Sequence, residues 1–156
     1  MGMDVYGQKP LTEKGEYFRN NVWSWRPLWD YCTHIDPTLI LSVPNAHNNS
    51  GDGLPGPLAR KLGFKLQTEI QSGQTQKYIE TYYEETQKLP KQNCQYCDEN
   101  GQRTWQKLNG EPYTKNCNVC DATKKIDHPQ THYHIDLDNI KEFSEFLINC
   151  GGFKIC

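Results

Sequence analysis

Two cysteine pairs, Cys94-x-x-Cys97 and Cys117-x-x-Cys120, stand nineteen residues apart in a chain of 156. Two thiolates three positions apart can turn toward one ion, and a second such knuckle completes a tetrahedron with metal–sulfur bonds of about 2.3 Å. The spacing fits a four-cysteine ribbon. With all four positions taken by protein, such a site excludes water and is structural. Zinc is the expected metal and iron the next candidate. A redox CxxC would need a strand before it and a helix after it, whereas Lys91-Gln92-Asn93 and Asp98-Glu99-Asn100-Gly101 read as turns. The seven cysteines, an odd number, point to metal or free thiols in a reducing compartment rather than to a disulfide framework.

A staple of this kind suits the composition. Leu, Ile, Val and Phe supply only 30 of 156 residues, near the ~20% level at which chains stop folding. Eighteen aromatic residues offset this, since each buries about 150–250 Å². Net charge is −2 with a pI near 6.2, so no global field draws in phosphate backbones or anionic membranes. A nucleic-acid role would need a local basic patch. The N-terminal MGMDVYGQKP lacks a basic segment followed by an apolar run, Tyr6 stands where a myristoylation signal wants Ser or Thr, and no stretch reaches the ~20 apolar residues of a membrane span. A cytoplasmic protein is expected.

The pattern predicts an α+β fold: a mainly helical single domain over 1–156, with a zinc-ribbon-like module of short strands at 91–135. Residues 1–14 read as polar and irregular. Gly15 to Trp25 reads as a helix with an apolar arc of Phe18, Val22 and Trp25. Pro27 should kink or break it near Ser24 to Arg26 and free the carbonyl of Trp23, with a second helical piece from Pro27 to Tyr31. Residues 36–57 open with a strand-like run and become a Gly, Asn and Pro-rich loop. Leu58, Leu62, Leu66 and Ile70 mark a helix weakened by Gly63 and stopped at Ser72-Gly73. A further helical pattern continues to Pro90. THYHID reads as a strand with His132 and His134 on one face. Asp136 or Asp138 caps a last helix burying Ile140, Phe143, Phe146, Leu147 and Cys150. Gly151-Gly152 ends it before a short edge strand, and no internal repeat is evident beyond the two knuckles.

Several of these motifs occur together elsewhere. MDVYGxxP (Met3 to Pro10), GEYFRNNVW and WxPLWxY (Gly15 to Tyr31), two CxxC knuckles, THY (Thr131 to Tyr133) and EFxxFxxxxGGFxIC (Glu142 to Cys156) give a chain that resembles an uncharacterised family of small phage and bacterial proteins. The match covers both ends and the cysteine module, about half the chain. Its knuckles resemble those of DnaJ-type zinc domains. Family knuckles run CxxCxGxG, but here Asp98-Glu99-Asn100-Gly101 and Asp121-Ala122-Thr123-Lys124 follow, so three of four glycines are replaced. The resemblance implies zinc and a phage-associated protein, and it implies no reaction, catalytic residue or peptide-binding surface.

The stretch GEYFRNNVWSWRPLWDYC, 15 to 32, has two readings. In the first, Phe18, Val22, Trp25 and Trp29 form a core stripe flanked by solvated Arg19, Arg26 and Asp30. In the second, Trp23 lies beside Arg19 and Arg26 on the helical wheel, away from that stripe, as a platform for a planar anionic ligand. Tyr6, Asn20, Asn21 and His47 would add polar contacts, in the usual mixture of aromatic walls and a few placed polar groups. The favoured function is therefore non-enzymatic: a zinc-containing protein that captures a nucleotide-like ligand or binds a host protein, with oligomerisation open. A nucleic-acid-binding zinc module is the alternative, on Lys107, Lys115, Lys124 and Lys125 with Trp105 and Tyr113 between them. A small nucleotide-processing enzyme is the third, using His132, His134, His47 and Asp52, although no nucleophile elbow, phosphate loop, HExxH or deaminase motif is present. A second metal site from Cys32, His34, Cys150 and Cys156 is conceivable only if the termini meet.

Overall fold

The computed structural model describes residues 2–156, and for Ile40 the backbone only. In chain order the elements are β1 (Gly2–Gly7), β2 (Tyr17–Asn21), α1 (Val22–Ile35), α2 (Leu39–Ser42), α3 (Gly56–Gln71), α4 (Gln74–Gln87), β3 (Gln92–Asn93), β4 (Gln102–Gln106), β5 (Pro112–Asn116), β6 (Lys125–Ile126), α5 (Leu137–Asn149) and β7 (Phe153–Ile155). The fold is α+β and mainly helical, with small antiparallel sheets. The chain forms two compact units, one reaching from the N-terminus to Glu84 and resuming at Tyr133–Cys156, the other comprising Glu85–His132. Among the described residues, no helix is long and apolar enough to cross a membrane.

The first unit holds the apolar core. Its three-stranded sheet runs β2-β1-β7, so the N-terminal residues, expected to be irregular, supply the central strand. The reason is a period-2 pattern too short to stand out: Met3 and Val5 are buried while Asp4 and Tyr6 lie outside. The same pattern overturns the helix expected over 15–25. Phe18 and Asn20 are buried and Tyr17, Arg19 and Asn21 are exposed, with Phe18 paired to Val5. Helix α1 begins only at Val22, where the Asn21 side chain accepts the Ser24 N–H at 2.9 Å as an N-cap. It then runs through Pro27 without the expected break. Proline leaves the carbonyl four residues back without its helical donor, and that carbonyl, of Trp23, accepts the N–H of His134 at 3.0 Å. The sequence expectation of a freed acceptor holds, and the fold itself supplies the donor.

Residues expected to open as a strand after Asp36 form the one-turn helix α2 instead. The loop beyond it flanks β7. Gly51 donates to Ile155, Ile155 to Asp52 and Phe153 to Leu54 at 2.7–2.9 Å, so backbone groups on the outer side of the edge strand are paired. Helix α3 buries Leu62 and Leu66 and touches α5 at Gly63, where an added Cβ would lie 2.7 Å from Ile148 Cγ1 and 3.0 Å from the Ser144 carbonyl oxygen. The Ser144 hydroxyl donates to the Gly63 carbonyl at 3.0 Å, a buried hydrogen bond. Asp136 caps α5 by accepting the Asn139 N–H at 2.8 Å, and the expected face of Ile140, Phe143, Phe146, Leu147 and Cys150 is buried. Aromatic rings fill the centre. Trp25 stacks on Trp29 with centroids 5.6 Å apart, and Phe143 meets Phe18 at 4.9 Å and Trp25 at 5.7 Å.

The second unit has two short ladders, β3 with β6 and β4 with β5. Among its residues only Gly101, Cys117 and Cys120 are buried. It has no apolar core. No strand forms over THYHID: Pro129–His132 is a 3-10 turn, because backbone and hydroxyl of Thr131 both donate to the His128 carbonyl, at 2.8 and 2.7 Å.

Candidate metal centre

Cys94, Cys97, Cys117 and Cys120 converge, with all four Sγ atoms within 4.8 Å of one another. Cys94 and Cys117 Sγ are 3.8 Å apart, and Cys97 and Cys120 Sγ 3.7 Å. Disulfide sulfurs sit at about 2.05 Å, whereas a tetrahedron with metal–sulfur bonds of about 2.3 Å has edges of about 3.8 Å. The four cysteines are therefore positioned to bind one metal ion. No other group of three or more His, Cys, Asp or Glu side chains is so placed among the described residues, which leaves Cys32, His34, Cys150 and Cys156 without a shared site.

Local backbone geometry builds the cluster twice, at a spacing of 23 residues. Cys94 N–H donates to the Lys124 carbonyl at 2.8 Å, and Cys117 N–H to the Gly101 carbonyl at 2.9 Å. Adding 23 to the first pair's Cys94 and subtracting it from Lys124 gives the second pair, so the bonds are equivalent and cross over. The ladders obey the same rule: Gln92 with Ile126 matches Lys115 with Arg103, and Asn93 with Lys125 matches Asn116 with Gln102. Each knuckle therefore clamps the other. The signal was present in the sequence as Asn93-Cys94-x-x-Cys97-Asp98 and Asn116-Cys117-x-x-Cys120-Asp121.

The knuckles differ where the glycines differ. In the first, Gly101 takes a left-handed φ of +73°, and its missing Cβ would lie 2.5 Å from the Ala122 carbonyl oxygen. Asp98 Oδ1 accepts the N–H groups of Asn100 and Gln102 at 2.9 and 2.8 Å, tightening this turn. In the second, Asp121, Ala122 and Lys124 hold φ of 49°, 60° and 64° without being glycine. Thr123 Oγ1 donates to the Cys120 carbonyl at 2.5 Å.

The thiols have unequal charge preferences. Burial pushes Cys97 up to about 12, with the neighbouring Cys120 and Cys94 thiols adding to the rise, and burial also raises Cys120. At Cys117 burial acts upward too, but the N–H groups of Val119 and Cys120, and then the Cys120 and Cys94 thiols, outweigh it and bring the group to about 7. Cys117 is thus a readier thiolate than Cys97 or Cys120. Four thiolates this close repel one another, and a divalent cation at their centre removes that penalty.

The seven residues expected around a ligand separate into groups. Tyr6 stands against Tyr17 with centroids 5.1 Å apart; Tyr17 donates to Asp4, which lies 3.6 Å from Arg19 Nε. Asn20 is buried and donates to Asn139 at 3.1 Å, and Asn21 is the helix cap. Arg19 is thus a strand residue turned to Asp4, and its expected wheel position beside Trp23 and Arg26 does not exist because 17–21 is extended. Trp23 and Arg26 do share a neighbour. Trp23 is 45% exposed and meets Tyr133 at 5.1 Å, and the Arg26 guanidinium lies 6.0 Å from that ring. His47 Nε2 is 3.8 Å from Asp30 Oδ1. Burial raises Asp30 and lowers His47, partly countered by each other's charge, and Arg26 lowers both. Tyr133 and Asp30, absent from the sequence-based set, join these three residues.

His134 is exposed and tied by its backbone to Trp23, and His128 Nδ1 accepts the Gln130 N–H at 3.2 Å. Cys32 and Cys150 are buried, and burial raises both thiols. Comparison of the chain with protein-family models, curated proteins and solved structures finds no match.

Proposed function

We propose that the protein is a non-enzymatic binding protein stapled by one structural zinc ion, of the phage-encoded kind its sequence resembles. The observation supporting zinc is the pairing of a four-sulfur cluster with a 48-residue unit in which only Gly101 and two of those cysteines are buried. A unit without an apolar core draws its folding free energy from elsewhere, and structural zinc supplies it. Thiolate donors favour zinc over harder cations, and four of them leave no open position for a substrate. The role of the metal here is to hold shape.

The ligand reading belongs to the first unit. Trp23 and Tyr133 offer aromatic faces, while Arg26 and His47 beside Asp30 offer charge and hydrogen bonding, a mixture that suits a nucleotide-like molecule. A melting-temperature panel of nucleotides and cyclic nucleotides tests it on metal-loaded protein. Stabilisation by a nucleotide that is abolished in Arg26→Ala is the expected result. No shift across the panel removes the small-ligand reading and leaves a host-protein partner to be sought by pull-down.

A further inference from the structure

The β4–β5 hairpin of the second unit has two unlike faces. Strand alternation sets Gln102, Thr104 and Gln106 on one side with Pro112, Thr114 and Asn116 opposite them, a neutral face. On the other side the cross-strand pairs are Arg103 with Lys115 and Trp105 with Tyr113. This face carries a row of cations beside a row of rings. The Arg103 guanidinium lies 4.4 Å from the Trp105 ring centroid and 5.7 Å from that of Tyr96, and Lys115 Nζ lies 5.4 Å from the Tyr113 ring. A shallow, open depression at the end of the hairpin is lined by Gln106, Lys107, Leu108, Tyr113 and Lys115. Within the hairpin the single acid, Glu111, is paired with Lys107 at 3.1 Å.

We propose that this face binds single-stranded nucleic acid, with bases stacking on Trp105 and Tyr113 and phosphates on Arg103 and Lys115. Charge complementarity selects the occupant. An acidic peptide would satisfy the cations but bring the two rings no stacking partner. A single strand has both phosphate charge and π-faces, and alternating rings and cations are what sequence-tolerant single-strand binding uses. The cation–π contacts hold the rings in place beforehand, so little side-chain freedom is lost on binding. The overall charge of −2 and the small number of cations limit affinity to the micromolar range and make it sensitive to salt.

The inference rests on the metal reading only in that the two knuckles frame the hairpin. The test is fluorescence anisotropy with labelled dT15 and rU15 at 50 mM salt, with zinc content measured on the same sample. Saturable binding is expected, with a log–log salt slope of about −1.4 for two phosphate contacts at roughly −0.7 each. Trp105→Leu should weaken binding at least fivefold and Trp105→Phe should restore most of it. Lys115 is exposed, so Lys115→Gln leaves the fold alone and should flatten the slope by about 0.7; this variant decides the matter if Trp105→Leu loses its metal. Absence of binding by zinc-loaded protein overturns the inference while leaving the metal centre standing. An unchanged slope in Lys115→Gln, or a polyglutamate peptide competing as well as dT15, also overturns it.

Discussion

Ala122 and Lys124 hold left-handed φ values of 60° and 64°, a conformation that costs an L-residue roughly 1–2 kcal/mol. They stand two and four residues after Cys120, the second at the place Gly101 holds after Cys97. The second knuckle thus keeps the turn without the residue that makes it easy, helped by Thr123 Oγ1 on the Cys120 carbonyl. Ala122→Gly and Lys124→Gly should each stabilise the metal unit by about 0.5–1 kcal/mol, net of glycine's greater unfolded freedom. The measurement is resistance to chelator, and unchanged or lower resistance contradicts it. Gly101→Ala should do the reverse, since its Cβ would meet the Ala122 carbonyl oxygen at 2.5 Å at a φ of +73°. In the first unit Asp36 is held down to about 2, chiefly by Lys65 at 2.7 Å and then by Thr38. A carboxylate lowered on folding stabilises the protein above its unfolded value of ~3.9 and loses that contribution as pH falls toward 2. Asp36→Asn should therefore melt below wild type at pH 6, and the two melting curves should converge as pH falls from about 4 to 2.

Helix α1 shows how much a sequence pattern can say about an element. Its residues 22–31 were legible as helical, in two pieces divided near Pro27; the apolar stripe of Trp25, Leu28, Trp29 and Cys32 is buried, and Pro27 correctly pointed to a Trp23 carbonyl released from its helical donor, a place the His134 N–H fills. Its start was misplaced because Phe18, Val22 and Trp25 have helical spacing by coincidence across a strand-to-helix junction. What decides the junction is the pairing of β2 with β1, a contact between positions such as Val5 and Phe18, and single-window periodicity does not register partners. The strand at THYHID failed for the converse reason: alternation without a partner strand leaves backbone groups to find turns. Gly63 is another case. In isolation it weakens α3 by about 1 kcal/mol relative to alanine, yet α5 packs where its side chain would be. Gly63→Ala should lower the melting temperature by several degrees, because contacts of 2.7 and 3.0 Å to Ile148 and the Ser144 carbonyl exceed the propensity gain. A higher melting temperature would show that α5 can retreat.

At the scale of the whole molecule, the two units draw stability from different sources. The first buries an aromatic-rich core contributed by α1, α3, α5 and the sheet, which answers the shortage of aliphatic residues. The second buries a glycine and two sulfurs. The four cysteines positioned to bind a metal were legible because four thiolates need a fixed spacing whatever surrounds them. The 23-residue crossover that clamps the knuckles left only the short repeat Asn-Cys-x-x-Cys-Asp in the sequence; its pairing resides in backbone hydrogen bonds that most side chains can accompany. The arrangement separates the responses of the units: a strong chelator should make 85–132 sensitive to protease while the first unit's near-ultraviolet signal from Trp25 and Trp29 persists. Loss of both together would contradict that separation. The central claim is that four sulfurs hold one zinc, and X-ray absorption at the zinc edge tests it most directly on protein purified without added metal. The expected result is one zinc per chain with four sulfur neighbours at about 2.3 Å and none from nitrogen or oxygen; a metal-free preparation, or a shell containing water or histidine, would contradict it.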